Sequence, residues 1–307
     1  MNNCLNRSSE NEFYIVAFSM SSMGQLQLFL GLLIIYLMAF LGNLIIIFLV
    51  CLVPKLHTPM YFFLCNLAVA DITSTSVSIP KLLTITLTQD HRISFPCCMI
   101  QMFFFILSVD GETFMLTIMA YDRYVAICKP LQYYAIMRKK MYIVMAASAW
   151  IVGALNSLSH TILTSVLQFC YSHDISNFFC DLNSVIALSS TDITSQKIFI
   201  FSEVVIITIV QFMLIIVSYL FIFSAIWKIR SSSGHMKAFS SCTSHLITVI
   251  LFYAPMMILY LKPKSESKEQ DTLLSMVYLV VVPMLNPLVY SLRNKEVWGA
   301  IFFQKLN

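Results

Sequence analysis

Four polar side chains, Asn43, Asp71, Glu112 and Asn286, fall inside long apolar stretches of the chain. An amide or a carboxyl is costly to place in such surroundings, so each marks a position where polar chemistry has a use. If they converge, they could hold a hydrated cation such as Na+, with Asp71 and Glu112 as its anionic ligands. They could equally share protons, or simply join packed segments by hydrogen bonds. Asp110 and Glu203 are two further acids in apolar surroundings. Asp110 would either face a ligand cavity or sit neutral and hydrogen-bonded to a neighbouring helix. Arg123 follows Asp122 directly, which offers a guanidinium–carboxylate pair that can close and open; a snorkelling arginine at headgroup level is the plainer reading. Asn286-Pro287, with Tyr290 about one turn on, places a backbone break beside a polar side chain. No phosphate-binding glycine loop, catalytic triad or metal-ligand spacing accompanies these residues, so enzyme chemistry is not expected.

The elements that position these residues follow from composition. Of 307 residues, 59% are apolar and only 11% charged, against about half and about a quarter in soluble domains. That balance excludes a soluble enzyme, a disordered chain and, despite a net charge of +4, a nucleic-acid binder. Crossing the hydrocarbon takes roughly 20 mostly apolar residues. Runs of that kind cover 26–50, 59–82, 97–122, 141–166, 198–226, 239–261 and 272–292. Helices are the only form that satisfies the backbone there, since no alternating barrel pattern appears. The expected fold is therefore an all-α, seven-helix integral membrane bundle, one unit over 1–307, with a tail at 1–25, the bundle at 26–292 and a second tail at 293–307.

Direction follows from the basic residues. Segments after the first, third, fifth and seventh runs hold twelve Lys and Arg, among them Lys55, Arg138, Lys139, Lys140 and Lys228, against two acids, Asp122 and Glu296. The other side holds seven basic residues against ten acidic ones. The basic side is expected in the cytoplasm of a plasma-membrane protein, with the N-terminus outside and the C-terminus inside. Asn6-Arg7-Ser8, a glycosylation sequon, fits an external tail. Residues 1–24 do not read as a cleavable leader, so the first run would serve as its own insertion signal. A transporter is the competing class, but repeated halves and interrupted helices are not visible.

Several runs resemble the signatures of olfactory receptors, a branch of the rhodopsin-like G-protein-coupled receptors. They are Met119-Ala-Tyr-Asp-Arg-Tyr-Val-Ala-Ile-Cys128 and Leu56-His-Thr-Pro-Met-Tyr-Phe-Phe-Leu64. With them come Lys237-Ala-Phe-Ser-Ser-Cys-Thr-Ser-His-Leu246, Pro283-Met-Leu-Asn-Pro-Leu-Val-Tyr-Ser-Leu-Arg-Asn294, Gly42-Asn43 and Ser218-Tyr219. The resemblance implies a receptor for small, mostly hydrophobic volatile molecules that activates a stimulatory, olfactory-type heterotrimeric G protein and raises cAMP. The alternative on the same scaffold is a receptor for an internal metabolite. Asp122, Arg123, Tyr124, Tyr219, His245, Asn286, Pro287 and Tyr290 would carry coupling and switching. Residues 227–246 contain no carboxylate, so an Arg–Glu lock onto the sixth helix is not available, and His245 or Lys237 must contribute otherwise. Cavity candidates by analogy are Phe105, Ile106, Val109, Asp110, Glu203, Ile207, Tyr253, Met256, Tyr260 and Met276. Asp110 and Glu203 would add a preference for an amine or a hydroxyl. The resemblance also pairs Cys98 with Cys180, and it places Ser190 where a partner for Cys170 would stand. Cys170 is then expected to be free or variable unless Cys97 or Cys4 takes that place. Residues from about 294 to 303 suit a short amphipathic helix lying on the lipid surface.

Overall fold

The computed structural model describes residues 12–16, 22–170, 172–229, 231–261 and 274–292. The first three spans are α1 (Ser22–Leu52), α2 (Pro59–Thr88) and α3 (Phe95–Cys128). A short α4 (Tyr133–Ile136) precedes the fourth span, α5 (Lys139–Ser165), and α6 (Leu182–Ile186) lies in the long loop that follows. The fifth span runs from α7 (Thr194–Glu203) through a π-helical stretch, Val204–Ile209, into α8 (Val210–Trp227). The sixth is α9 (Ser232–Leu261). These six are long and apolar enough to cross a membrane, and the shorter Leu274–Tyr290, with a π turn at Val277–Val281 leading into α10 (Val282–Leu292), supplies the seventh. The helices overrun the expected spans at several ends. α2, at 30 residues, is about 45 Å long by its rise, more than the ~30 Å of hydrocarbon.

Local sequence sets where helices start and stop. Pro59 and Pro96 occupy first turns, where a missing N–H costs nothing, and the Ser94 hydroxyl accepts from the Cys97 amide at 3.4 Å. α2 ends where Gln89 turns left-handed, φ 59°, its amide donating to the Ile85 carbonyl. α1 shows Leu30, Ile34, Leu37, Leu41, Ile45, Phe48 and Leu52 on its outer face, an apolar stripe at helical spacing that only lipid would cover without cost. Inside, small residues let helices approach. Gly111 of α3 lies so close to α5 that an added Cβ would sit 3.1 Å from the Trp150 ring, and the same atom on Gly153 would sit 3.1 Å from the Asp110 Cβ.

One end of the bundle carries a small sheet that the sequence reading did not anticipate. β1 (Glu12–Ile15), β2 (Arg92–Ser94) and β3 (Asp174–Ile175) lie in the order β2-β1-β3, so the segment before α1 is the central strand. β1 runs antiparallel to β2, with Phe13 opposite Ile93, and parallel to β3, with Tyr14 opposite Asp174. Phe13 and Ile15 point inward and join Ile93, Cys98, Ile175 and Cys180 in one apolar cluster. The 1–25 tail of the sequence reading thus contains a strand, and α1 begins at Ser22. The strand was missed because four residues are too few to show a period.

Candidate functional site

At the end opposite the sheet, the last turn of α3 meets the short α4. Arg123 Nη2 donates to Asp122 Oδ2 at 2.7 Å, and the Tyr133 hydroxyl donates to Asp122 Oδ1 at 2.8 Å. Asp122 is fully buried, so both its oxygens are satisfied within the fold. Burial, and then the Asp122 carboxylate beside it, push the Tyr133 hydroxyl's pKa above its ordinary value, which keeps it protonated and a donor. Two turns deeper, Tyr219 of α8 and His245 of α9 stack and meet at 2.7 Å between the hydroxyl and Nδ1. His245 Nε2 donates to the Leu116 carbonyl of α3 at 3.0 Å, leaving Nδ1 of the neutral ring to accept from Tyr219. His245 therefore joins the third, fifth and sixth spans in the absence of a carboxylate on the sixth. Tyr124 packs on Phe221 of α8. Lys237's side chain lies outside the described residues.

Midway along the bundle, Asn286 Nδ2 donates to both Asp71 oxygens, at 3.1 and 3.0 Å, and Ser74 Oγ donates to Glu112 Oε1 at 3.4 Å. All four are buried. Asn43 does not reach the carboxylates; it donates to the carbonyls of Ala39 and Pro283, both at 3.0 Å, and ties the first span to the seventh just ahead of Pro287. Tyr290 is buried in the same core as Tyr219, one turn beyond Asn286.

Asp110 is hydrogen-bonded to a neighbouring helix, the fourth span. Asn156 of α5 donates to Asp110 Oδ2 at 2.9 Å and to Glu203 Oε1 at 2.7 Å, and His160, one turn further on, donates through Nε2 to Glu203 Oε2 at 2.5 Å. The two acids are brought together, as partners of the fourth span. Asn156 and His160 were missed from the sequence, although two polar residues four apart on an otherwise apolar helix are the signal for a shared polar face. Tyr133, at the start of the four-residue α4, gave no such signal.

The apolar cavity candidates separate into groups. Phe105 and Met276 pack with Phe178 and Phe179 of the long loop, the Phe105 and Phe179 rings at 4.7 Å. Ile106 packs under the sheet. Val109, Tyr253 and Met256 belong to the central core, where Tyr253 meets Phe212 of α8 at 4.8 Å between ring centroids. Among the described residues the buried Tyr253 hydroxyl has no partner. Ile207 is half-buried on the π-helical stretch. Tyr260's side chain, Asn6 and the expected surface helix near 294–303 lie outside the described residues.

Cys98 and Cys180 are bonded, which pins the long loop to the top of α3. The expectation of a free thiol at Cys170 is overturned: Cys170 is disulfide-bonded, and Cys97 is free. Position 190, a serine, accounts for the misreading, because its hydroxyl accepts from the Cys170 amide at 2.8 Å and gives no sulfur to bond.

Comparison with known proteins places this architecture. A family model described as "Olfactory receptor" matches residues 32–306. The chain is 44% identical to gorilla olfactory receptor 1G1 over 96% of its length and 95% of the relative's. It is 42% identical to human olfactory receptor 1F1, over 96% and 95% of the two chains, and 42% identical to mouse olfactory receptor 5AR1, over 98% and 97%. A bundle of long apolar helices with buried polar networks between them, matched along nearly its whole length by receptors rather than enzymes, is a multi-pass membrane protein, and the chain belongs to the olfactory receptor family.

Proposed function

We propose that the chain is an odorant receptor that binds small, mostly hydrophobic volatile molecules and activates a stimulatory heterotrimeric G protein, raising cAMP. On this reading the sheet end faces outward and the Arg123 end faces the cytoplasm, where the basic residues concentrate. The observations that support it most are two polar relays toward that end: Tyr133 and Arg123 on Asp122, and, two turns deeper, Tyr219 on His245 on the Leu116 carbonyl. The Tyr133 link and both His245 links join different elements, so outward movement of α9 would break the His245 links and free Tyr219. A surface would then open for the G protein.

Asp71, Ser74, Glu112 and Asn286 fit a bound Na+. All donors are oxygen, which suits a hard cation, and the buried Asn286 Oδ1 has no partner among the described residues. Such an ion would supply positive charge between the two carboxyls and hold the seventh span against the second. Ligand-evoked cAMP in cells bearing the receptor tests the main reading. Loss of that response in Arg123→Ala, at equal surface density, is expected; an unchanged response sinks G-protein coupling through this end. A broad odorant panel that evokes nothing, set against a response to a non-volatile metabolite, would favour the alternative receptor.

A further inference from the structure

Glu203 closes α7, and the six residues after it, Val204–Ile209, run as a π-helix before α8 resumes at Val210. A π turn closes its hydrogen bonds one residue later than an α turn and is rare inside an α-helix. We propose that this stretch is a register device. It stores one extra residue while Glu203 is held by the fourth span, and it gives that residue up as a turn of the outer end of the fifth span when the hold is lost.

The holds lie on either side of the stretch. Ahead of it, Glu203 accepts from Asn156 at 2.7 Å and from His160 at 2.5 Å, and the His160 ring lies on Phe199, one turn before Glu203. Beyond it, Gln211 Oε1 accepts from Thr117 of α3 at 3.1 Å, and Tyr219 is tied to His245. Asp110, which shares Asn156 with Glu203, stands seven residues before Thr117, two turns away on one face of α3. Glu203 and Gln211 therefore reach toward neighbouring points on one side of the fifth span. An α-helix advances about 100° per residue, so eight steps would leave them about 80° apart; with one residue taken up in the π turn, the separation falls to about 20°.

Exposure gives the same phase independently. Val210, Leu214 and Phe221 lie on the exposed side of α8, seven, eleven and eighteen residues from Glu203, close to whole turns of an α-helix. A fifth span that was α-helical throughout would carry Glu203 onto that lipid side, where a carboxyl is costly. Phe201 stands there instead, in line with Ile209, Met213 and Leu220 once one residue is set aside. The Glu203 side chain is 16% exposed. The π turn thus takes an acid off the lipid face and delivers it to Asn156 and His160. Without Glu203's hydrogen bonds nothing offsets the turn, and relaxation to α-helix rotates the outer end by about 100° against Gln211 and Tyr219. The fourth span thereby decides which side chains the outer fifth span shows to the bundle.

Two measurements on the full-length chain test this, and neither needs a ligand. Deleting Ile206, an exposed residue of the stretch, leaves Glu203 and Gln211 in phase on a plain α-helix. Its surface density in cells is expected to stay close to native, whereas deleting Leu214, between Gln211 and Tyr219, removes the protein from the surface. An Ile206 deletion as damaging as the Leu214 deletion overturns the register. The second measurement is labelling in lipid nanodiscs by an apolar diazirine that reacts from the acyl-chain region, read residue by residue by mass spectrometry. In the native chain the label is expected on Phe201 and not on Glu203. In Glu203→Leu it is expected to leave Phe201 and appear at position 203; with Ile206 also deleted, it is expected to return to Phe201. Label that stays on Phe201 in Glu203→Leu shows that the hold does not set the register and overturns the proposal.

Discussion

Replacing Tyr133 by Phe removes one hydroxyl and leaves the ring, which isolates the bond to Asp122 from packing. That bond, 2.8 Å long, ends on a fully buried carboxylate whose other oxygen is held by Arg123. A hydrogen bond to a charged acceptor contributes about 1.5–3 kcal/mol. Tyr133 is only half-buried, so water recovers part of this and the lower end, roughly 1–1.5 kcal/mol, is appropriate. If the bond belongs to the closed form alone, losing it raises the ratio of open to closed receptor about fivefold to tenfold. Starting from an open population of about 1%, within the usual range for a minor state, ligand-free signalling rises to roughly 5–10% of maximum. The assay is basal cAMP per surface receptor in Tyr133→Phe, with Arg123→Ala as the silent floor. Tyr134→Phe is the control, since that neighbour is 88% exposed. Basal signalling that stays flat or falls in Tyr133→Phe, at equal surface density and with the maximal ligand response intact, refutes the relay as a resting restraint.

Gly111→Ala drives a methyl to 3.1 Å from a Trp150 ring that its own Nε1–H anchors on Asn66 at 2.9 Å, so the ring cannot yield freely; a cost of about 1–3 kcal/mol should appear as a lower melting temperature in detergent, while Gly31→Ala, a helix-interior position with open space around it, does not lower it. Asn156→Leu strips the shared amide from two acids and should cut surface density severalfold, and adding Asp110→Leu should recover part of the loss, because an unpaired buried carboxyl is the larger penalty; no recovery would mean the Asp110 contact is incidental. Raising sodium at constant ionic strength should lower agonist potency in the native receptor and leave Asp71→Asn unmoved, read from cAMP dose–response curves.

The spans were legible because burial in lipid imposes one rule on every residue of a 20-residue run. Asp122-Arg123 was legible because its partner is the next residue in the chain. What escaped was set by distance in sequence. Tyr133 reaches Asp122 from 11 positions on, past the end of α3, and Asn156 reaches Asp110 and Glu203 across 46 and 47 residues, so neither bond leaves a local period. Asp110 illustrates the consequence. From the sequence it is an acid among apolar residues and therefore a candidate ligand contact. In the fold its Cβ faces Gly153 and its carboxylate is taken by Asn156, both on the fourth span. Glu203 is likewise engaged at both oxygens, by Asn156 and His160. An ammonium ligand would have to displace a half-buried amide and a buried imidazole before it gained a carboxylate. A strong preference for amines is therefore disfavoured by the geometry that the pair of acids first suggested, and an apolar ligand, which asks neither acid to change partners, fits the interior better.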